Sequence, residues 1–466
     1  MQNEMLKVMA LSVLREIGAS IQSAPFFTVK VDETTDVSNM EQVVVCLRWF
    51  CDTFKVYKEF VGIHDVALTR AETIYAAITD MLLRMNLSVS KVRGHCYDGT
   101  ATMSGVKSGV VGRLCAAEPR AVYTHCYGHS LNLAFSDIIK RCKIMQNALD
   151  TTHEITKLIT KLPTPEAVIK ELKEEMHTLP PRICILCPKR WTIRAESLKS
   201  ILDNYSVLLE LWAKSLDYVK DTEMKARIQG VASQMMNFDY FLGISLRLLI
   251  LQQTDNLCRA MQKVDMSAAE GPDVTGMTVS TPRSMRNDAV FDQFGRRLQA
   301  SAANLDVNKS VLPRRRKTSR RLDDGSAPIV HATVEDHYRV IYFEALDLIT
   351  SCIENRFDQP GEDLQQRCAA GQLEQMYQVT KLLKLLLVMP ATNAESERSY
   401  SALRLLKSYL RSTMSQRRLN HLILLKVHKS HVDSLNLVEV ANDFITGHDH
   451  RKYVFGTKFE ESDFEF

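Results

Sequence analysis

The residues best suited to chemistry in this chain are acidic and lie far apart. Asp98 ends an early segment with strand-like composition, whereas Glu397 follows Pro390 in a segment that Asn393 is predicted to cap as a helix. On that helix Glu397 shares a face with Ser401. A carboxylate on a late helix can complete a metal site begun on a sheet, and such sites serve metal-dependent nucleic-acid chemistry.

Composition excludes several classes of protein. The 466 residues are enough for two or three domains with a large core, and 45% hydrophobic with 24% charged residues is typical of a soluble protein. A net charge of +4 requires any basic surface to be local. Eleven scattered cysteines without a signal-like N-terminus predict reduced thiols and an intracellular location. No apolar run approaches the roughly 20 residues that span a bilayer.

The first third of the chain alternates between strand and helix patterns. A helix is predicted over residues 4–22, and strands over 26–32, 43–50, 54–63, 91–97 and 121–126. In the first strand Phe27, Val29 and Val31 occupy one face, and Thr28, Lys30 and Asp32 occupy the other. One helix is predicted over residues 70–86, a second helical stretch ends near residue 117, and a third helix begins near His129. The resulting βββαβαβα order, with acids ending the first and fourth strands, predicts an α/β fold with a ribonuclease-H-like mixed sheet.

The remainder of the chain is mostly helix-periodic. Residues 264–332 are rich in Ser, Ala, Asp, Asn, Thr and Pro, so we expect much of that segment to be weakly ordered, with a helix around 288–303. The expected domains are an N-terminal helix (1–24), the first part of the core (25–145), a mostly helical insertion (146–385), the last core helices (386–432), and a C-terminal tail (433–466). The insertion is expected to contain a flexible basic segment at about 264–332.

Five motifs occur in an order that resembles the hAT superfamily of cut-and-paste DNA transposases, close to its zinc-finger MYM-type and TTF-type members. They are Asp32-Glu-Thr-Thr-Asp36, Cys96-Tyr-Asp98-Gly99, Cys126-Tyr-Gly-His129-Ser-Leu-Asn-Leu133, Arg190-Trp191, and Ala394-Glu-Ser-Glu-Arg-Ser-Tyr-Ser401. The resemblance covers residues from about 25 to 430. It implies a ribonuclease-H-like core interrupted by a large all-α insertion and closed by C-terminal helices named the hAT dimerisation region.

By this resemblance, Asp32, Asp98 and Glu397 are the catalytic residues and the ligands of two Mg²⁺ or Mn²⁺ ions. Two such ions activate the attacking oxygen and stabilise the leaving oxygen of a phosphodiester, and hard ions prefer carboxylate oxygens. Glu395 is a rival third acid, but it lies about 200° from Glu397 around a helix, so both cannot face the same ions. The Ser-Glu-Arg match favours Glu397. Glu33 and Asp36 are interpreted as turn or helix-start residues, with Asp36 a weaker candidate to support the site.

The resemblance also implies DNA contacts from Arg190, Trp191, His129 and Cys126. Trp191 would stack on a nucleotide flipped out of the duplex during hairpin formation, and Arg190 would meet phosphate or line the acidic site. The alternatives are a buried tryptophan that anchors a helix start and a structural histidine. A zinc site built on Cys126 and His129 is disfavoured, although Cys184-x-x-Cys187 offers a second pair.

The C-terminal region carries an apolar helical stripe, which comprises Leu419, Leu422, Ile423 and Val427. The stripe packs either within the chain or against a second protomer, so a homo-oligomer is an expected partner. The basic run 314–321 is either a nuclear import signal, a phosphate contact, or a solvated charge run.

Two functions follow from the sequence. The first is a metal-dependent DNA transposase that cuts and joins strands in the nucleus, with DNA as its partner and with no small-molecule substrate or membrane. The second is a domesticated, catalytically inactive nuclear protein that uses the fold for dimerisation or chromatin association. No tight Cys/His cluster precedes residue 90, so the sequence is expected to lack the N-terminal zinc-finger module of transposing relatives.

Overall fold

The computed structural model describes residues 1–162, 191–261, 271–305, 307–312, 333–357, 384–390, 393–456 and 458. These residues divide into two compact units. The first comprises the described residues of Met1–Ser130, Met261–Pro272 and Asp358–Phe466, and the second those of Leu131–Ala260 and Asp273–Phe357. No helix among these residues has both the length and the apolar character needed to cross a membrane.

The first unit is built on a five-stranded sheet with the order β3-β2-β1-β4-β5. Its strands are β1 (Phe27–Thr35), β2 (Glu41–Phe50), β3 (Val56–Val66), β4 (Val92–Tyr97) and β5 (Val122–His125). β2 pairs antiparallel with both β1 and β3, whereas β4 pairs parallel with β1 and β5. This mixed sheet confirms the predicted ribonuclease-H-like fold class. All five predicted strands are present, with ends shifted by one to three residues.

Helices cover the sheet and complete the core of the first unit. They are α1 (Gln2–Ser23), α2 (Ala71–Arg84), α3 (Ala101–Ser104), α4 (Val110–Ala117), the start of α5 (Tyr127–Arg141), and, after the second unit, α14 (Ala394–Leu406), α15 (Gln416–Val427), α16 (Lys429–Asp433), α17 (Leu437–Thr446) and α18 (Asp449–Phe455). Phe27, Val29 and Val31 are fully buried in this core, as the alternation in β1 predicts. The opposite face of β1 is covered by α14, which also lies over β2 and β3.

The second unit is helical. Besides the rest of α5 it contains α6 (Lys143–Lys161), α7 (Trp191–Asp203), α8 (Tyr205–Tyr218), α9 (Thr222–Met235), α10 (Phe238–Met261), α11 (Gly271–Met285), α12 (Asp288–Asn304) and α13 (Val334–Phe357).

Part of the segment expected to be weakly ordered, 264–332, is helical. The helix around 288–303 is confirmed as α12, but α11 was not expected. Phe291, Leu298 and Ala302 are buried along one face of α12, and Val279 is buried on α11. A few well-spaced apolar side chains therefore offset a composition that is otherwise polar and small. The basic run 314–321 lies outside the described residues.

The C-terminal helix α15 packs inside the first unit, between α1 and β3. Leu419, Ile423 and Leu424 are fully buried in the same core as the sheet, whereas Val427 is 40% exposed. Two of the four residues of the predicted apolar stripe, Leu419 and Ile423, therefore serve packing within the chain. Polar side chains of α15 also bond the outer edge of β3: Asn420 accepts from the Ile63 amide at 3.0 Å. Such contacts shield an edge strand from pairing with another chain.

Candidate carboxylate site

Asp32 and Asp98 occupy matching positions on neighbouring parallel strands. Lys30 of β1 lies opposite Cys96 of β4, and each acid comes two residues later along its strand. The carboxyl ends of parallel strands meet at the same edge of a sheet, so this register brings the two acids to one edge. Both residues are partly exposed. The predicted pairing of acids from the first and fourth strands therefore has the required topology.

Short local hydrogen bonds fix the backbone around each acid. Asp32 accepts a bond from the Glu33 amide at 3.1 Å. Asp98 accepts two bonds from Thr100, one from its amide at 3.2 Å and one from its hydroxyl at 2.9 Å. These contacts form a turn of the kind that aspartate stabilises after a strand. They hold Asp98 in place just after the end of β4.

Gly99 makes room for a histidine beside this turn. A Cβ atom at position 99 would lie 2.6 Å from Cε1 of His125, a distance that real Cβ contacts do not show. The His125 ring is in turn 5.9 Å from the ring of His129, centroid to centroid. His125 at the end of β5 therefore lies next to the segment that carries Asp98, and His129 in α5 lies beside His125.

The residues just before α14 contact β1 and place the start of this helix beside the sheet. The Thr28 hydroxyl donates to the Val388 carbonyl at 2.8 Å, and the Asn393 side-chain amide donates to the Val31 carbonyl. Gly94 of β4 allows this approach, because a Cβ atom there would meet Thr28 at 2.5 Å and Met389 at 3.1 Å. The start of α14 is thus held beside the residue that precedes Asp32.

Asn393 does not cap α14 in the way the sequence predicts. It immediately precedes the helix, but its side chain makes no capping bond. Instead the side chain bonds Val31, and its backbone amide donates to the Cys126 sulfur at 3.2 Å. Cys126 is 3% exposed, and its own amide donates to the Tyr97 carbonyl at 3.0 Å. Asn393 therefore connects the start of α14 to β1 directly and to the end of β4 through Cys126. These long-range hydrogen bonds take the place of the predicted capping bond.

Glu395 forms a buried ion cluster rather than an open ligand. Its carboxylate bonds Lys30 of β1 and lies 3.0 Å from Nζ of Lys58 of β3. The side chains of Lys30, Lys58 and Glu395 are only 1%, 6% and 11% exposed. Burial alone would raise the pKa of Glu395, but the two lysines lower it to about 2. No role for either lysine was predicted from the sequence. The only signal was the position of Lys30 on the strand face that alternation predicts to be polar.

The role of Glu397 as third acid stays a prediction. Its backbone lies in α14, one turn before Ser401, which is exposed. The side chain of Glu397 lies outside the described atoms, as does that of Trp191. Trp191 is the first residue of α7. Arg190, Cys184 and Cys187 lie outside the described residues.

Glu33 differs from its predicted role. Glu33 is not a turn residue, because β1 continues through Thr35. Burial first, and then the nearby carboxylates of Asp98 and Glu41, raise the pKa of Glu33 to about 7. This shift marks a crowding of negative charge at the sheet edge, which is a frequent property of functional sites.

Asp36 does begin a turn, but it is also buried and bonded to Lys407 at the end of α14. Burial alone would raise its pKa, yet the Lys407 bond and the amides of Ser38 and Met40 lower it. Asp36 therefore fastens the far end of α14 to the sheet rather than supporting a metal site.

Known families match both parts of the first unit. Residues 1–109, which include Asp32 and Asp98, match the family described as ZMYM1/FAM200, RNase-like domain. Residues 375–430, which include Glu397 and α15, match the hAT family C-terminal dimerisation region.

Two curated relatives match along most of the chain. They are the mouse (Mus musculus) and human (Homo sapiens) proteins named 52 kDa repressor of the inhibitor of the protein kinase, which are 22% and 21% identical to this chain. Each match covers 92% of this chain and 65% of the relative. The chain thus spans about 65% of the length of these relatives. The two family matches, the order of the motifs and the ribonuclease-H-like sheet all agree with the resemblance of this chain to the hAT superfamily.

Proposed function

We propose that this protein is a transposase-derived, DNA-binding protein whose Asp32, Asp98 and Glu397 cleave and transfer DNA strands with divalent metal ions. The observation that carries the proposal is the parallel register of β1 and β4, which aligns Asp32 with Asp98 at one sheet edge. Asn393 fixes the helix that bears Glu397 beside that edge. Two acids from neighbouring parallel strands and a covering helix are the parts that such a site needs.

The donor set suits magnesium or manganese. Carboxylate oxygens are the ligands that these hard ions prefer, and Asp32 and Asp98 are both partly exposed. The raised pKa of Glu33, caused first by burial and then by Asp98, supports an edge where a cation would relieve repulsion. Two bound ions would supply activation of the attacking oxygen and stabilisation of the leaving oxygen.

The protein's own side chains would bind the ions and orient the DNA. Asp32, Asp98 and Glu397 would hold the ions, while Glu395 stays committed to Lys30 and Lys58. We further propose that Arg190 and His129 contact the DNA backbone and that Trp191 stacks on a flipped base. Cys126 would contribute indirectly, through its bond to Asn393.

A second candidate function is supported by the names of the relatives. Both are called repressors. A catalytically inactive protein that dimerises through its C-terminal region and acts in the nucleus would agree with those names and with the matched dimerisation region. On either function we propose a homo-oligomer located in the nucleus.

Strand nicking and strand transfer on duplex DNA, measured with Mn²⁺ and with Mg²⁺, separate the two functions. We expect metal-dependent cleavage by the unaltered chain and a loss of at least about 100-fold in Asp98→Asn, because removing a ligand of the ions removes their stabilisation of the reaction. Asp65→Asn, an exposed acid on β3, is the matched control and should cleave normally. Mn²⁺ titration by calorimetry should show weaker binding in Asp98→Asn alone. If the unaltered and Asp98→Asn proteins are equally inert while folding normally, the non-enzymatic function is the correct one.

A further inference from the structure

A second cluster of metal-ligand side chains lies away from the carboxylate site. In the described part of the chain, Glu59, His428 and His431 each place a ligand atom within 4.8 Å of the other two. Glu59 lies on β3, His428 follows α15, and His431 lies in α16. The side chains of His428 and Glu59 are buried, and that of His431 is partly exposed.

The hydrogen bonding of His428 determines which of its nitrogens can bind a metal. Nε2 of His428 lies 2.7 Å from the Phe60 carbonyl oxygen. A carbonyl can only accept, so Nε2 must carry the hydrogen, and the neutral ring presents a lone pair at Nδ1. Metal-binding histidines commonly donate their second nitrogen to a carbonyl, which fixes the ring orientation. His428 already has this arrangement.

The atoms that face each other across the cluster both accept hydrogen bonds. Nδ1 of His428 lies 3.4 Å from Oε2 of Glu59. A neutral imidazole and a carboxylate held together in a buried site need either a shared proton or a cation between them.

The spacing fits a tetrahedral zinc ion. Bonds of about 2.0–2.2 Å to nitrogen and oxygen place neighbouring ligand atoms about 3.4 Å apart, which matches the separation of His428 and Glu59. His431 is 31% exposed, so its ring has room to rotate towards the other two. Its Nδ1 lies 3.3 Å from Oε2 of Glu16 on α1, which brings a further carboxylate to the cluster.

We propose that Glu59, His428 and His431 form a zinc site, with Glu16 or water in the fourth position. Two imidazoles with one carboxylate suit zinc better than magnesium or calcium, which prefer oxygen ligands alone. The ion would link β3 to α15 and α16, at the end of the region that matches the dimerisation family. Its role is therefore to stabilise the packing of this region onto the sheet.

Zinc titration of the full chain after chelator treatment, against a competing chromophoric chelator, tests the site. We expect one zinc ion bound with a submicromolar Kd, and a higher Tm with zinc than without it. Glu59→Gln and His431→Gln should each weaken zinc binding at least about tenfold. His421→Gln on α15 is the matched control and should bind zinc normally.

Cobalt substitution distinguishes this cluster from any cysteine site. Cobalt bound by imidazole and carboxylate gives visible bands without the near-ultraviolet charge-transfer band of thiolates, and that spectrum is the expected one. A thiolate spectrum would overturn the proposal. So would the absence of saturable zinc binding, or equal zinc affinity in the unaltered, Glu59→Gln and His431→Gln proteins when circular dichroism shows that all three are folded.

Discussion

Two sets of charged side chains lie along β1, and their carboxylates have opposite surroundings. Glu395 is buried against Lys30 and Lys58, and its pKa falls to about 2 because the attraction of both lysines outweighs burial. Asp32 within β1 and Asp98 just after β4 are partly exposed, and neighbouring Glu33 has a pKa raised to about 7, by burial first and by Asp98 next. One group has its countercharges inside the protein; the other concentrates negative charge at an accessible edge.

This difference separates a structural carboxylate from a candidate reactive one. An acid held by two buried lysines contributes to stability and has little capacity left for an ion. Acids that repel one another at an edge cost stability, and a bound cation can relieve that cost. Position in the chain does not reveal the difference, since Glu395 and the predicted ligand Glu397 are two residues apart on one helix.

The largest expected effect comes from removing the buried charge. Glu395→Gln leaves Lys30 and Lys58 without their countercharge, so we expect the free energy of unfolding to fall by about 3–5 kcal/mol. Urea denaturation followed by circular dichroism measures this loss. Asp65→Asn, an exposed acid on β3, should change stability by less than about 0.5 kcal/mol.

The pH dependence provides an independent check on Glu395. Its pKa in the folded protein, about 2, is below its ordinary value of 4.5. Its contribution to stability is therefore complete above pH 4.5 and is lost as pH falls towards 2. Glu395→Gln should flatten that part of the stability curve. A loss under about 1 kcal/mol at pH 7, or an unchanged acid limb, would show that the ion cluster contributes little.

An intermediate effect is expected from the residue that connects the two groups. Asn393→Ala removes the bond to the Val31 carbonyl, so we expect a loss of about 1–3 kcal/mol in the free energy of unfolding. The start of α14 would also be released from the sheet edge, and Mn²⁺ binding should weaken along with stability. Asn436→Ala, which removes the capping bonds of α17, is the control. It should cost about 1 kcal/mol and leave Mn²⁺ binding unchanged. Equal Mn²⁺ affinity in both variants would argue against a positioning role for Asn393.

The smallest expected effect comes from the repulsion between the carboxylates of Glu33 and Asp98. A carboxyl whose folded pKa is raised from 4.5 to about 7 contributes stability below pH 4.5 and loses it as pH rises through 7. Glu33→Gln should therefore stabilise the protein by about 1 kcal/mol at pH 8, after allowance for partial exposure, and by nothing at pH 4.

Denaturation curves at the two pH values measure the effect of Glu33→Gln. Part of the gain should disappear in an Asp98→Asn background, because the two carboxylates no longer repel each other there. A variant that is less stable at pH 8 would show that Glu33 is held by favourable contacts instead.

Much of the sheet could be predicted from sequence, because strand formation is a local property. The alternation around Val29 and Lys30 predicts the two faces of β1, and acids that end the first and fourth strands are predicted to meet at one edge. The roles of Lys30, Lys58 and Asn393 could not be predicted in this way, because their partners come from elements more than 300 residues away or from another strand. The Glu59, His428 and His431 cluster was missed for the same reason: only His428 and His431 are near in sequence.

The sequence by itself determined the resemblance to the hAT superfamily, the fold class and the candidate acids, since short motifs and hydrophobic periodicity encode local geometry and chemical type. Only the tertiary structure decided which acids are neutralised by lysines and which remain at an accessible edge. The charge state of a carboxyl depends on the burial and the charges around it. Those surroundings form only when α14 packs across β1, β2 and β3.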